Sequence, residues 1–69
     1  MQVIKKTFTK HSLDTVHTYT LDNGYTANVW GSGMKTVYTP KGNYASQITS
    51  LRVLSAIRDY EIQQKEGVL

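Results

Sequence analysis

Leu21-Asp22-Asn23-Gly24-Tyr25 carries the strongest local structural signal in this 69-residue sequence. An Asn-Gly pair tolerates the positive φ angles of a type I′ turn, whose twist matches that of the strands it joins. We therefore predict a hairpin whose strands cover residues 14–21 and 25–30. A second reversal at Gly31-Ser32-Gly33 leads into a further strand at 34–39.

The chain on the N-terminal side of this hairpin also has the composition of a sheet. Thr, Val and Ile occupy 13 of the first 39 positions, and β-branched side chains suit a pleated, half-buried surface. We predict a strand at 2–9, in which alternation places Ile4, Lys6 and Phe8 on one face. A turn at 10–13 joins this strand to the hairpin.

The C-terminal third of the chain predicts one helix. The segment from Ser46 to Glu66 contains neither Gly nor Pro and is rich in Gln, Leu, Arg, Ala, Ile and Glu, which are good or tolerable helix formers. Asn43 or Ser46 is the expected N-cap. We predict a helix at 44–66 that Gly67 ends, with the last three residues as a frayed tail.

Together these elements predict an α+β fold, in which an antiparallel β-meander of three to four strands is followed by one C-terminal α-helix packed on the sheet. A chain of 69 residues is too short for two cores, so we expect a single domain with its sheet part at 1–43. Domains of this size bury only about 60% of the surface of the unfolded chain. We therefore expect marginal stability unless the chain oligomerises or docks on a partner.

One stripe of the predicted helix has the spacing of a core face. Val53, Ala56, Ile57 and Tyr60 stand at positions i, i+3, i+4 and i+7, which places them on one side of a helix. We expect this stripe to lie across one face of the sheet. Its expected neighbours are apolar strand residues, namely Ile4, Phe8, Val29 or Val37.

Ile48, Leu51 and Ile62 form a second stripe, on a different side of the helix and within about one-sixth of its circumference. One interpretation is that the sheet curls, or that a strand end reaches over, and buries them. The other is that they form a protein-binding or self-associating surface, with Arg52 and Arg58 as its polar rim. Both interpretations stay open at this point, and these five residues are the candidate protein interface.

The net positive charge of the chain lies in the sheet half. Residues 1–43 hold five lysines against two aspartates, an excess of +3, whereas residues 44–69 hold equal numbers of basic and acidic residues. Cations interleaved with aromatic side chains can neutralise phosphates and stack on bases, although edge-strand lysines also prevent edge-to-edge pairing of sheets. The candidate nucleic-acid residues are Lys5, Lys6, Lys10, Trp30, Lys35 and Lys41.

A meander of about three strands followed by one helix, here over about residues 16–60, resembles two kinds of DNA-binding domain. These are the plant AP2 type and the N-terminal arm-binding domains of phage-type integrases, which insert the sheet into the major groove. The resemblance implies DNA contact through the sheet. The chain departs from the AP2 pattern, because it lacks arginine-rich strands and has Trp30 as its only tryptophan.

The sequence offers no convincing catalytic constellation, and we expect no enzyme activity, no cofactor and no metal. His11 can approach Asp14 across a turn, and His17 can approach Asp22 along the hairpin, in the manner of an imidazole–carboxylate pair. However, the chain has no cysteine, no serine stands in a nucleophile elbow, and the histidine spacing matches no metal motif. We expect both histidines to be structural or surface residues.

We therefore expect a small, cytoplasmic, non-enzymatic protein that binds another protein, or itself, as a regulator, inhibitor or adaptor. The alternative is a nucleic-acid-binding domain that uses the basic, aromatic sheet. No apolar run is long enough to span a bilayer, and no apolar segment follows the N-terminal lysines as in a secretory signal, so we expect no membrane contact. The short, cysteine-free sequence also resembles small accessory proteins of bacteriophages and mobile elements, which often bind and redirect a host macromolecule.

Overall fold

The computed structural model describes residues 1–66, which form four strands and one helix. The elements are β1 (Val3–His11), β2 (Asp14–Leu21), β3 (Thr26–Trp30), β4 (Lys35–Tyr38) and α1 (Gln47–Glu66). All neighbouring strands are antiparallel, and the strand order is β1-β2-β3-β4. The predicted α+β meander with one C-terminal helix is confirmed. The predicted helix stop at Gly67 and the frayed tail lie outside the described residues.

The turn between β2 and β3 lies where the sequence predicts it, but the predicted type I′ geometry is wrong. A type I′ turn needs a positive φ at both central residues, and among the described non-glycine residues only Ser12 has one, so Asn23 does not. Leu21 and Tyr25 instead enclose a three-residue loop that ends with Gly24 in the left-handed region.

Gly24 has a φ of 89°, a conformation that glycine adopts without the steric cost met by other residues. The Gly24 amide donates to the Leu21 carbonyl at 3.0 Å, and the Leu21 amide donates to the Tyr25 carbonyl at 2.9 Å. Pro40 packs over this turn, because a Cβ added to Gly24 would lie 3.1 Å from the Pro40 Cγ.

β1 departs from the regular alternation expected of it. Its register shifts between Val3 and Lys5, so Val3 lies opposite Leu21 while Ile4 occupies a bulge. Ile4 is 66% exposed, and the prediction that it shares the core face is therefore wrong. A bulge adds one unpaired residue, so the side chains before it point to the opposite face from the one that regular alternation would give them. β1 also runs on to His11, because the turn that follows it is only two residues long.

The register divides the sheet into a face under the helix, the helix-side face, and an open face. Directly opposed residues of antiparallel strands point to the same side. The row beneath α1 is Lys6, Tyr19, Ala27 and Val37. Tyr19, Ala27 and Val37 are buried in one cluster with Val53 and Ile57 of α1. The hydrophobic core therefore lies between this row and the inner side of the helix.

α1 begins at Gln47, three residues later than predicted. Ser46 is the N-cap, since its Oγ accepts a hydrogen bond from the Thr49 amide at 3.3 Å. The residues just before Ser46 pair with strand β4 instead of joining the helix. Tyr44 forms an antiparallel bridge with Tyr38, and the Ala45 amide donates to the Val37 carbonyl at 2.9 Å.

α1 crosses the sheet and contacts both edge strands, β1 and β4. Its predicted core stripe is confirmed, because Val53 and Ile57 are buried and Ala56 and Tyr60 pack against the core. Among the neighbours expected for this stripe, Val37 is buried and Val29 is partly buried. Phe8 is 60% exposed, so its expected place under the helix is wrong: the helix covers only part of the helix-side face.

Candidate functional site

The second helical stripe predicted from the sequence is exposed. Ile48, Leu51 and Ile62 have exposed fractions of 68%, 62% and 48%. At 100° per residue they lie on the side of α1 opposite Val53, and no strand within residues 1–66 covers them. The interpretation in which the sheet buries them is therefore wrong. We call these three residues the outer stripe.

The outer stripe has a small centre and a charged border. Ser55 lies between its apolar members by helical spacing and is exposed. Arg52 and Arg58 are also exposed on its two borders, and the Arg58 Nε stands 4.0 Å from the Asp59 carboxylate. An ion pair at this distance and exposure contributes little energy, so Arg58 stays available to a partner.

The outer stripe belongs to a wider excess of exposed apolar side chains. Among residues 1–66, nine large apolar side chains are exposed and seven apolar residues are buried. The exposed set is Met1, Ile4, Phe8, Leu13, Met34, Tyr44, Ile48, Leu51 and Ile62. Single exposed apolar residues are normal on protein surfaces, whereas clustered ones mark binding surfaces.

The candidate nucleic-acid residues do not converge on one surface. Lys6, Lys10 and Lys35 lie on the helix-side face, whereas Lys5 and Trp30 lie on the open face. Lys41 stands in the exposed loop after β4. The structure thus places two of the six candidates on the open sheet face, which is the face that a nucleic acid can reach without meeting α1.

The open face carries aromatic pairs at two corners of a threonine-rich surface. The Trp30 ring packs against His11 with centroids 5.6 Å apart, and Tyr38 stacks on Tyr44 at 5.4 Å and 27°. Between them the Thr18 hydroxyl donates to Asn28 Oδ1 at 2.9 Å. Sequence reasoning missed the tyrosine stack, because Tyr44 was predicted to lie inside the helix.

A charged cluster fastens α1 to the first two strands. Lys6 Nζ and the Tyr19 hydroxyl donate to the same oxygen, Glu61 Oε1, at 2.7 Å and 2.6 Å. These bonds, that from Lys6 first, lower the pKa of Glu61. The bond to Glu61 raises the pKa of Lys6, and burial raises the pKa of the Tyr19 phenol. The ammonium group of Lys6 is therefore engaged in holding α1 on the sheet.

Beside α1, the helix-side face continues as a mixed row that the helix covers only in part, since Phe8 and Lys35 are exposed whereas His17 and Val29 are half-buried. The row is Phe8, His17, Val29 and Lys35. The rings of Phe8 and His17 meet edge to face with centroids 5.1 Å apart. The Nδ1 atom of His17 is buried without a hydrogen-bond partner among the described residues. No pattern within a single strand predicts this row, because its partial exposure depends on where the helix crosses.

The predicted imidazole–carboxylate pairs do not form proton-transfer pairs. His11 lies opposite Asp14 at the end of the β1–β2 ladder, but Asp14 Oδ1 accepts from the Thr15 amide at 2.8 Å. Asp22 Oδ1 accepts instead from the Gln2 amide at 3.1 Å. Within residues 1–66 no cluster of three His, Cys, Asp or Glu side chains is arranged to hold a metal ion.

The surface of the protein also holds a cleft near the start of β1. A cleft of about 290 Å³ lies between the N-terminal residues and α1, with Val3, Ala56 and Tyr60 among its lining residues. The described part of α1 lacks the length of apolar sequence that a membrane-spanning helix needs.

No family model matches the chain, and the comparisons with curated proteins and with solved structures found no match.

Proposed function

We propose that the chain is a small, cytoplasmic, non-enzymatic binding protein that acts as a regulator, inhibitor or adaptor by docking another protein on its outer stripe. The observation that carries this proposal is the exposure of Ile48, Leu51 and Ile62 on the side of α1 that faces away from the sheet. A domain with so small a core gains stability when a partner covers such a stripe.

The side chains around the outer stripe define the partner surface that fits it. An apolar centre with a polar rim is the usual anatomy of a protein interface. Because Arg52 and Arg58 border the stripe and are exposed, a partner with an apolar centre and an acidic rim is complementary to it. Arginine is also among the residues enriched at interface hot spots.

The test compares the wild-type chain with two substitutions of exposed leucines. Leu51→Asp places a carboxylate in the outer stripe, whereas Leu13→Asp makes the same change in the fully exposed β1–β2 turn. Both variants should melt close to the wild-type temperature. Proteins captured from the source cell by the wild type and by Leu13→Asp, but lost with Leu51→Asp, support the proposal.

The outcomes against the proposal are equally distinct. A captured protein that Leu51→Asp retains with unchanged affinity removes the outer stripe as the interface. A change only in sedimentation, from dimer to monomer, assigns the stripe to a second copy of the chain. Capture that a nuclease abolishes in every sample points to nucleic acid instead.

The second candidate function, nucleic-acid binding, is supported by the open face of the sheet. Its aromatic side chains, Trp30, Tyr38 and Tyr44, are suited to stack on bases, and Lys5 is exposed on the same face. If this face binds, Trp30→Ala should weaken the affinity for single-stranded DNA or RNA by about 1–3 kcal/mol. Affinity should also fall with salt, and each phosphate contact should add roughly 0.7–0.9 to the steepness of the plot of log affinity against log salt concentration. No binding at ~50 mM salt, where electrostatic attraction is strong, removes this candidate.

A further inference from the structure

The helix-side face of the sheet is longer than one helix can cover. β1 has nine residues and so extends about 27 Å at 3.4 Å per residue, whereas a helix with its side chains is about 10 Å wide. α1 occupies the row that contains Lys6 and Tyr19. The next row, with Phe8 and Val29, is left beside it, and Phe8 is exposed.

The flank of α1 that borders this uncovered row can be identified from contacts at both sides of the helix. Ala56 lines the cleft with Val3, toward the start of β1. Glu61 lies on the other flank, where it binds Lys6 and Tyr19. Leu54 is seven residues before Glu61 and so shares its flank. Leu54 and Glu61 therefore form the wall beside the uncovered row.

The floor and the wall together make a partly apolar strip, which we call the docking strip, in which Phe8 and Lys35 are exposed and the other members are half-buried. It consists of Phe8, His17, Val29, Lys35 and Leu54. The four strand residues lie on successive strands, so the floor is about 14 Å long at about 4.8 Å per strand. Leu51 and Leu54 stand at i and i+3 on α1, and the outer stripe thus continues into the docking strip.

The charges around the docking strip are basic. Lys35 ends the floor, and Lys10 lies two residues beyond Phe8 on the same face. Neither lysine has a salt-bridge partner among the described residues. The carboxylate of Glu61 in the wall already binds Lys6. An approaching segment therefore meets the exposed Phe8 ring, the half-buried Val29 beside it, and ammonium groups that have no salt-bridge partner among the described residues.

We propose that the docking strip takes an amphipathic helix of the partner protein, with an apolar face toward Phe8 and Val29 and carboxylates toward Lys10 and Lys35. This inference rests on the proposed function and names the partner's chemistry. Packed helices have axes 8–10 Å apart, which places the second axis between the rows of Phe8 and Lys10 at about 3.4 Å per residue. The partner helix then lies beside α1 on the same face of the sheet, and the two helices together form the second layer of the fold.

A second copy of the chain fits this position poorly. Its only helix among the described residues is α1, whose outer stripe is bordered by two basic residues, Arg52 and Arg58, and one acidic residue, Asp59. Docked on the strip, these guanidinium groups would face Lys10 and Lys35. Like charges brought together in an interface oppose association, so charge favours an acidic helix from a different protein.

The probe for the test is a synthetic amphipathic peptide of about 18 residues, or five helical turns, with leucine on one face and glutamate on the other. Two control peptides have lysine in place of glutamate, or the same residues in scrambled order. The measurement is the change in backbone amide resonances during titration to about 1 mM peptide, which detects even weak binding. We expect saturable changes at Phe8, His17, Val29 and Lys35 with the acidic amphipathic peptide alone.

Two variants and a matched control assign the binding to the docking strip. Phe8→Asp and Lys35→Glu should each weaken the peptide at least about tenfold, as loss of a central contact does. Thr7→Asp changes the neighbouring exposed residue, which points to the open face, and should leave the affinity within about twofold. Equal melting temperatures show that all three variants are folded.

The possible results separate this inference from the proposed function. Resonance changes confined to Ile48, Leu51 and Ile62 overturn the docking strip and leave the outer stripe as the interface. Equal binding of the basic peptide, or no saturable change with any peptide, overturns the acidic-helix inference, while the Leu51→Asp capture experiment still decides the proposed function. The same resonance changes with a single-stranded oligonucleotide but not with the peptide assign the strip to nucleic acid.

Discussion

The Tyr19 hydroxyl donates a 2.6 Å hydrogen bond to Glu61, 42 residues further along the chain. Lys6 Nζ donates to the same carboxylate oxygen at 2.7 Å, and its ammonium lies 5.3 Å from the centre of the Tyr19 ring. The three side chains join β1, β2 and α1 at one point. Since the helix has few other polar contacts with the sheet among the described residues, this cluster fixes its position along the strands.

Removal of the Tyr19 hydroxyl tests the strength of this contact. Tyr19→Phe keeps the buried ring and loses a hydrogen bond to a charged group, so the free energy of unfolding should fall by about 1.5–3 kcal/mol. Tyr60→Phe is the matched control, because Tyr60 packs edge to face on Tyr19 with centroids 6.3 Å apart. Urea unfolding of both variants measures the difference, and equal stabilities would contradict a role for the Tyr19 hydroxyl.

The stability of the fold should decrease in acid because of Glu61. Its pKa is lowered by the bonds from Lys6 and Tyr19, so the unfolded chain binds more protons than the folded one. The stabilisation is therefore present above the unfolded pKa of about 4.3 and is lost as the pH falls through the folded value. Melting temperatures of the wild type should drop over this range, and Glu61→Gln should flatten that part of the profile. An unchanged acid profile in Glu61→Gln would assign the loss to other carboxylates.

Two neighbouring positions on opposite sides of α1 should respond differently to truncation. Val53 is 0% exposed, so Val53→Ala removes buried methyl groups and leaves a cavity. We expect a loss of about 1–2.5 kcal/mol in the free energy of unfolding. Leu51→Ala removes a larger side chain from the exposed outer stripe and should change stability by less than about 0.5 kcal/mol. Denaturant titration distinguishes the two, and a large loss in Leu51→Ala would place that residue in a core.

The glycine turns allow backbone strain to be separated from packing. Gly24 and Gly33 have φ values of 89° and 101°, so alanine is strained at both. A Cβ at Gly24 also meets Pro40 at 3.1 Å, whereas a Cβ at Gly33 meets nothing within 4 Å. Gly33→Ala should cost about 1 kcal/mol, and Gly24→Ala should cost more. Thermal melts should show this order, and Pro40→Ala should bring the two losses closer together.

The N-cap of α1 offers a further check on the helix. Ser46→Ala removes the oxygen that accepts from the Thr49 amide and should destabilise the fold by about 1 kcal/mol. Ser46→Asp restores the acceptor and adds a negative charge to a first turn that has no acidic residue, so it should equal or exceed the wild-type stability. Helix content by circular dichroism and the melting temperature measure both variants.

The features that sequence predicted correctly are those controlled by near neighbours. The position of the turn at residues 22–24 and the two sides of α1 follow from local conformational preference and helical spacing, and both are confirmed. The predicted turn type is wrong, because Asn23 lacks the positive φ that a type I′ turn needs. The prediction that Ile4 faces the core failed because a bulge shifts the register, and β1 contains no glycine, the residue type that marks many bulges in a sequence. The exposure of Phe8 was missed because it depends on where α1 crosses a sheet that is longer than the helix is wide.

The candidate sites show the same limit. The outer stripe was found because three residues of one helix share a side. The lysines of the nucleic-acid prediction were grouped because all of them lie in the sheet half of the chain, although Lys5 and Lys6, as strand neighbours, must point to opposite faces. The Tyr38–Tyr44 stack and the docking strip arise from contacts between separate elements, which periodicity within one element does not report.

The strand order β1-β2-β3-β4 also has a kinetic consequence. Every strand pairs with its neighbour in sequence, so each hairpin closes a short loop at low entropic cost. The longest closure among the hydrogen bonds of the described chain joins Lys6 to Glu61, across 55 residues. Local pairings form fast and distant ones slowly, so the meander should assemble first and helix docking should limit the folding rate. Until α1 docks, the whole helix-side face is exposed to water. We expect premature association of folding chains to begin at this face.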